Sequence, residues 1–130
     1  MSVEYQAGQC NIGPGEQRKR LRFGALGFLA TAVWVGIVAA FGLPAWTLIA
    51  AVGPLFGAVM GVLQARERFC VGFALQGVFD TGSGRDAVED EAARRADRQR
   101  AYRLVARSGA YALAGALALF LVARLVSRLG

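Results

Sequence analysis

The two cysteines are the side chains of this sequence best suited to chemistry. Cys10 stands in Cys10-Asn11-Ile12-Gly13-Pro14, and Cys70 in Arg68-Phe69-Cys70-Val71. A thiol pair can form a disulfide, ligate a metal between subunits or carry redox equivalents. Two thiolates without histidine, however, fall short of the four ligands of a structural zinc site. Thiols facing a reducing cytoplasm also stay unbridged. The competing assignment makes Cys70 a small apolar packing residue and Cys10 an ordinary tail residue. The chain has no histidine, which excludes histidine-based acid–base catalysis and histidine ligation of haem within it. No catalytic constellation emerges, so the expectation is a non-enzymatic protein with no catalytic residue, no cofactor and no metal.

The elements that must position these thiols are apolar. Residues 23–65 contain no charged side chain, in a chain whose net charge is +6. That run is about twice what one helix needs to cross a hydrocarbon core of about 30 Å. A 130-residue soluble domain lacks the polar surface to enclose it. The composition is 55% hydrophobic with 17 glycines, and membrane helices tolerate glycine well. The fold expected is therefore an all-α polytopic integral membrane protein: a two-helix hairpin, then a long helix continuing into a third transmembrane span.

The chain divides as follows. Residues 1–22 form a polar N-terminal segment in which Gly13-Pro14-Gly15 reads as a turn, with a helix starting near Glu16. Residues 23–41 are the first span. Gly42-Leu43-Pro44 breaks it, because proline disfavours a helical residue before it and suits the first turn of the next helix. Residues 44–64 are the second span, and so short a connection makes the two antiparallel, which puts both thiols on one membrane face. Residues 66–85 hold a short apolar stretch, too short to cross and therefore interfacial, re-entrant or internally packed, and a loop. Residues 86–107 read as a charged helix with its acids first and its arginines later, an order that suits the helix dipole. Residues 108–126 form the third span, or alternatively a segment lying along the surface. The polar start and the length of the first apolar run do not fit a cleavable signal peptide.

Charge sets the topology. Arg18, Lys19, Arg20 and Arg22 precede the first span, and Arg66 and Arg68 follow the second, whereas the hairpin loop carries no charge. Positive loops stay inside, so these six residues act as cytoplasmic anchors. The N-terminus is expected in the cytoplasm of a bacterial or archaeal plasma membrane. The same reading explains the pI near 10.4 without a nucleic-acid partner, for which no motif is present. Trp46 fits an interface anchor better than Trp34.

Helix packing supplies the remaining motifs. Gly53, Gly57 and Gly61 recur every fourth residue in the second span, and Ala106, Ala110, Ala114 and Ala118 do so in the third. Small residues on one stripe let helix backbones approach closely, which is what drives association in lipid. They serve either the chain's own packing or an interface with a copy or a partner. Pro54 should bend the second span or free a carbonyl. No ionisable group lies in the first two spans, which argues against an ion-coupled transporter. Three functional expectations result. The first is a scaffold, accessory subunit or assembly factor acting through helix packing, with membrane lipids and other membrane subunits or its own copies as partners. The second is a self-assembling, holin-like or small-channel permeability protein. The third is a thiol-dependent redox or metal-handling protein that uses Cys10 and Cys70.

Overall fold

A computed structural model describes residues 5–129. The protein is all-α with one small sheet. Its elements are α1 (Pro14–Phe41), a 3-10 segment (Ala45–Ala51), α2 (Val52–Glu67), α3 (Val71–Gln76), β1 (Val78–Asp80), β2 (Arg85–Ala87) and α4 (Glu91–Leu129). Three helical stretches are long and apolar enough to cross a membrane: Pro14–Phe41, Ala45–Glu67 and Glu91–Arg128. Their outward faces are rich in exposed apolar side chains, among them Leu26 at 63%, Phe41 at 76% and Leu121 at 62%. Water does not tolerate apolar patches of that extent on a monomer, whereas lipid does. The protein is a small membrane protein.

Proline and glycine punctuate the helices. α1 begins at Pro14, two residues before the start expected at Glu16, because a proline at the first helical position gives up only an N–H with no partner inside the helix. α1 ends where Gly42 adopts φ 62° and donates its N–H to the Val38 carbonyl, a left-handed cap that glycine adopts without steric penalty. Pro54 has no N–H, and its ring crowds the carbonyl four residues back. The chain just before it, Ala45–Ala51, is wound as a 3-10 helix and becomes α-helical only at Val52. The Trp34 indole N–H donates to the Thr47 carbonyl at 2.9 Å and ties α1 to this segment. Trp46 is exposed at 65%.

α1 and α4 each pack on α2, and α4 also packs along the 3-10 segment. The contact between α1 and α2 is backbone on backbone. A Cβ on Gly61 would stand 2.5 Å from the Gly24 nitrogen, and one on Gly27 would stand 2.6 Å from the Ala58 nitrogen. α4 runs alongside the hairpin to its loop: Val122, Val126 and Ser127 line an apolar cavity of about 550 Å³ together with Gly42, Leu43 and Ala45. α4 has 39 residues, about 58 Å at 1.5 Å per residue. It therefore extends well beyond the hydrocarbon layer at one end.

At that end the chain builds a folded cap. Phe69, Val71, Ala74, Ala101 and Leu104 form one buried cluster, and Ile12, Cys70 and Phe73 a second. β1 and β2 pair antiparallel, Val78 opposite Ala87 and Asp80 opposite Arg85. Two expectations change here. Residues 86 and 87 belong to a strand and not to the charged helix, because the pairing with β1 takes up their backbone. The helix starts at Glu91, where Asp90 caps it by accepting the Ala92 N–H through Oδ1 at 3.4 Å. The apolar stretch after α2 is folded into the cap as α3 and β1.

Candidate functional site

The polar chemistry of the molecule is concentrated in the cap, where residues 5–13 lie against α2, α3 and α4. Asn11 is fully buried. Its Nδ2 donates to the Cys70 carbonyl at 3.1 Å, and its Oδ1 accepts the Cys70 N–H at 2.7 Å. Its own N–H donates to the Arg68 carbonyl at 3.0 Å. One side-chain amide thus meets both backbone groups of Cys70, at the turn between α2 and α3, whose carbonyl also accepts the Ala74 N–H at 3.1 Å. The need is local. α2 ends at Glu67 and is capped by Arg68, which takes a left-handed conformation with φ 52°, and the Cys70 and Val71 N–H groups at the start of α3 have no helical partner. Gln64 meets a further one, accepting the Val71 N–H at 3.0 Å.

Asp80, buried in β1, does the same for α1. Its Oδ2 accepts the N–H of Gly13, the N-cap of α1, at 3.0 Å, and its Oδ1 accepts the Gly82 N–H at 2.9 Å. Gly13 has no side chain to cap with, so a carboxylate from a distant strand stands at the positive end of α1, where negative charge is favourable. The Asp80 N–H donates to the Asn11 carbonyl at 2.8 Å, which closes the link between strand and N-terminal segment.

Asp97 anchors the start of that segment to α4. It is fully buried and accepts the Tyr5 hydroxyl at 2.6 Å and the Gly8 N–H at 2.7 Å. Burial, and then the Asp97 carboxylate, push the Tyr5 phenol above its usual range. Arg100 donates to the Gly8 carbonyl at 3.2 Å and to Glu67 at 2.8 Å. Arg107, two turns on, reaches the same Glu67 oxygen at 3.1 Å. Glu67, at the end of α2, is thereby tied to α4 and fixes the level at which α4 leaves the cap. Tyr5 also stacks on Phe79 with ring centroids 4.7 Å apart.

The thiols have different surroundings. Cys70 is 3% exposed, packed with Ile12 and Phe73, and its Sγ accepts a hydrogen bond from Arg20 Nη2 at 3.0 Å. Cys10 is half-buried, and no disulfide joins it to Cys70. Among the described residues, no three Cys, Asp or Glu side chains are placed together so as to hold a metal ion.

The remaining positions read from the sequence are spread around this frame. Gly61 lies in the tight α1–α2 contact. Gly57 meets only the Phe23 ring, at 3.4 Å, and nothing lies within 4 Å of a Cβ on Gly53. Ala110, Ala114 and Ala118 are exposed, and the side of α4 turned inward carries Ala101, Leu104, Ser108, Ala112 and Ala116. The intramolecular stripe of α4 is thus offset by two residues from the one expected. Of the six basic anchors, Arg20 points into the cap, where it also meets Glu16 at 3.5 Å. Lys19 pairs with Glu16 at 3.2 Å. Arg18, Arg22, Arg66 and Arg68 are exposed.

Sequence reasoning missed Asn11, Asp80 and Asp97. Only Asp97 carries a signal, as the one acid among the arginines between Arg94 and Arg107. Fold and cap together define a helical membrane protein with a hydrogen-bonded cap on one face. Compared with protein-family models, with curated proteins and with solved structures, the chain shows no match.

Proposed function

We propose that the protein is a non-enzymatic scaffold, an accessory subunit or assembly factor that holds a partner membrane helix against α4. The observation that carries this reading is the outward stripe of α4. The chain's own packing uses Ala112 and Ala116, which leaves Ala110, Ala114 and Ala118 exposed on a helix of the membrane layer. Small residues spaced by four give another helix close backbone access. The cap supports the same reading, because it fixes α4 to α2 at Glu67 and presents the stripe on a rigid element.

A photo-crosslinking residue at position 114, in full-length protein in native membranes, tests the proposal. Crosslinks to one defined membrane protein, or to a second copy, are expected, and Ala114→Leu should abolish them when tested from a neighbouring probe at position 118. Crosslinks to lipid alone at both positions would sink the idea.

A further inference from the structure

Among the described residues, Arg124 and Arg128 sit apart from every other charged side chain. They lie one turn apart on the last part of α4, at the level of the hairpin loop. Every described aspartate and glutamate belongs to the cap or its edge, and the sequence has none between residues 17 and 66 or after Asp97. The two arginines line an open groove of about 340 Å³ whose other walls are Phe120, Leu121 and Leu125. Arg124 does not extend outward from it. Its guanidinium folds back over the Phe120 ring, 5.8 Å from the centroid.

The depth of this groove follows from the ion pairs of the cap. Arg107 is held at the end of α2 by Glu67, and seventeen residues of helix separate it from Arg124, about 26 Å. The hydrocarbon layer is about 30 Å thick. Arg124 therefore starts at the inner limit of the opposite headgroup region, with Arg128 about 6 Å further out. A guanidinium folded back toward hydrocarbon is costly unless an anion meets it. No aspartate or glutamate side chain among the described residues reaches that level. The anions that a bilayer itself supplies at that depth are lipid phosphates, which a planar guanidinium binds through two parallel hydrogen bonds.

We propose that Arg124 and Arg128, above the groove of Phe120, Leu121 and Leu125, form a binding site for an anionic phospholipid of the leaflet on the hairpin-loop side. The guanidinium groups take the phosphate, and the groove takes the first methylenes of an acyl chain. The site rests on α4 crossing the bilayer and is independent of whether the outward alanine stripe holds a partner.

The test is lipid retention by the purified full-length protein, measured by native mass spectrometry with phosphatidylglycerol and phosphatidylcholine in competition. Wild type should retain phosphatidylglycerol preferentially. R124Q/R128Q should bind it roughly thirtyfold more weakly, as expected for two arginines each worth about one kcal/mol at a membrane surface. R95Q/R98Q, with the same change of net charge at the other end of α4, should leave retention unchanged. Equal retention by R124Q/R128Q, or no preference over phosphatidylcholine in wild type, would overturn the site. A second measurement needs no variant. Phenylglyoxal modification of Arg124 and Arg128 in nanodiscs should fall when phosphatidylglycerol replaces phosphatidylcholine, and equal modification in the two lipids would overturn the proposal as well.

Discussion

Asn11 and Cys70 are paired as two strands would be, one side chain meeting one backbone, with the amide nitrogen 3.1 Å from the Cys70 carbonyl and the amide oxygen 2.7 Å from the Cys70 nitrogen. The pair joins the segment before α1 to the turn after α2. These two points flank the membrane hairpin in sequence, so the hairpin is clasped at its open end by this pair and at its closed end by Gly42.

Asn11→Ala should therefore loosen the whole cap. It leaves the Cys70 N–H buried without a partner, at a cost of about 1–3 kcal/mol, and leaves the Cys70 carbonyl with the Ala74 N–H alone. The expected outcome is a clear fall in thermal midpoint in detergent, with helical content retained below the transition. Asn11→Asp should be nearly as damaging, because it replaces the donor facing the Cys70 carbonyl with a second acceptor. An unchanged midpoint in both variants would show that the clasp carries no stability.

Tyr5 gives the cap a dependence on alkaline pH. Its folded phenol is shifted upward, first by burial and then by Asp97, from an unfolded value near 10. A group whose folded value is raised contributes its full stability below the unfolded value and loses it as pH rises through the folded one. Wild type should hold constant stability from this contact up to about pH 10 and weaken above it. Tyr5→Phe should be less stable at neutral pH by about 1–3 kcal/mol, for a hydrogen bond to a charged group, and should lose that alkaline component. Parallel slopes for the two proteins between pH 9 and 11 would remove Tyr5 as its source.

Cys70 should behave as a reporter of cap opening. At 3% exposure, with Arg20 on its sulfur, it reacts only when α3 moves away from Ile12 and the base of α1. Maleimide labelling of Cys70, followed by peptide mass spectrometry, should be slow in the native protein and should accelerate in parallel in Asn11→Ala. Rapid labelling of Cys70 in the native state would mean that the thiol is open to reagents and would favour a thiol-dependent role.

What the sequence disclosed and what it hid have separate physical causes. The membrane helices were legible because excluding charge over residues 23–65 is a one-dimensional property, and Gly42 and Pro44 mark the break within it. The inward face of α4 was not. Small residues occur there at two phases, with Ala106, Ala110, Ala114 and Ala118 in one and Ser108, Ala112 and Ala116 in the other. Periodicity weights both phases equally, and contact with α2 selects the second, where Gly115 also meets Leu55. The strands were hidden because three residues each are too few to show alternation, and Asp86 and Ala87 suit a helix start as well as a strand. The cap residues Asn11 and Asp80 act on partners far along the chain, so their role exists only once α1, α3 and β1 have met.

The glycines of α2 offer the sharpest separation between internal packing and outward surface. Gly61→Ala places a methyl 2.5 Å from the Gly24 nitrogen and 2.6 Å from the Arg20 carbonyl oxygen, and both are backbone atoms that no rotamer change can move aside. Overpacking of this kind costs about 1–3 kcal/mol. Because α1 would have to shift as a unit, Arg20 would be drawn off Cys70 and labelling of that thiol should rise along with the loss of stability. Gly57→Ala meets only the edge of the Phe23 ring, at an ordinary contact distance of 3.4 Å. It also removes some backbone freedom from the unfolded chain, so it should be neutral or stabilising by about 0.5 kcal/mol. Midpoints in detergent, read side by side with Cys70 labelling, check both. Equal effects of the two substitutions would mean that α1 and α2 do not meet at Gly24 and Gly61.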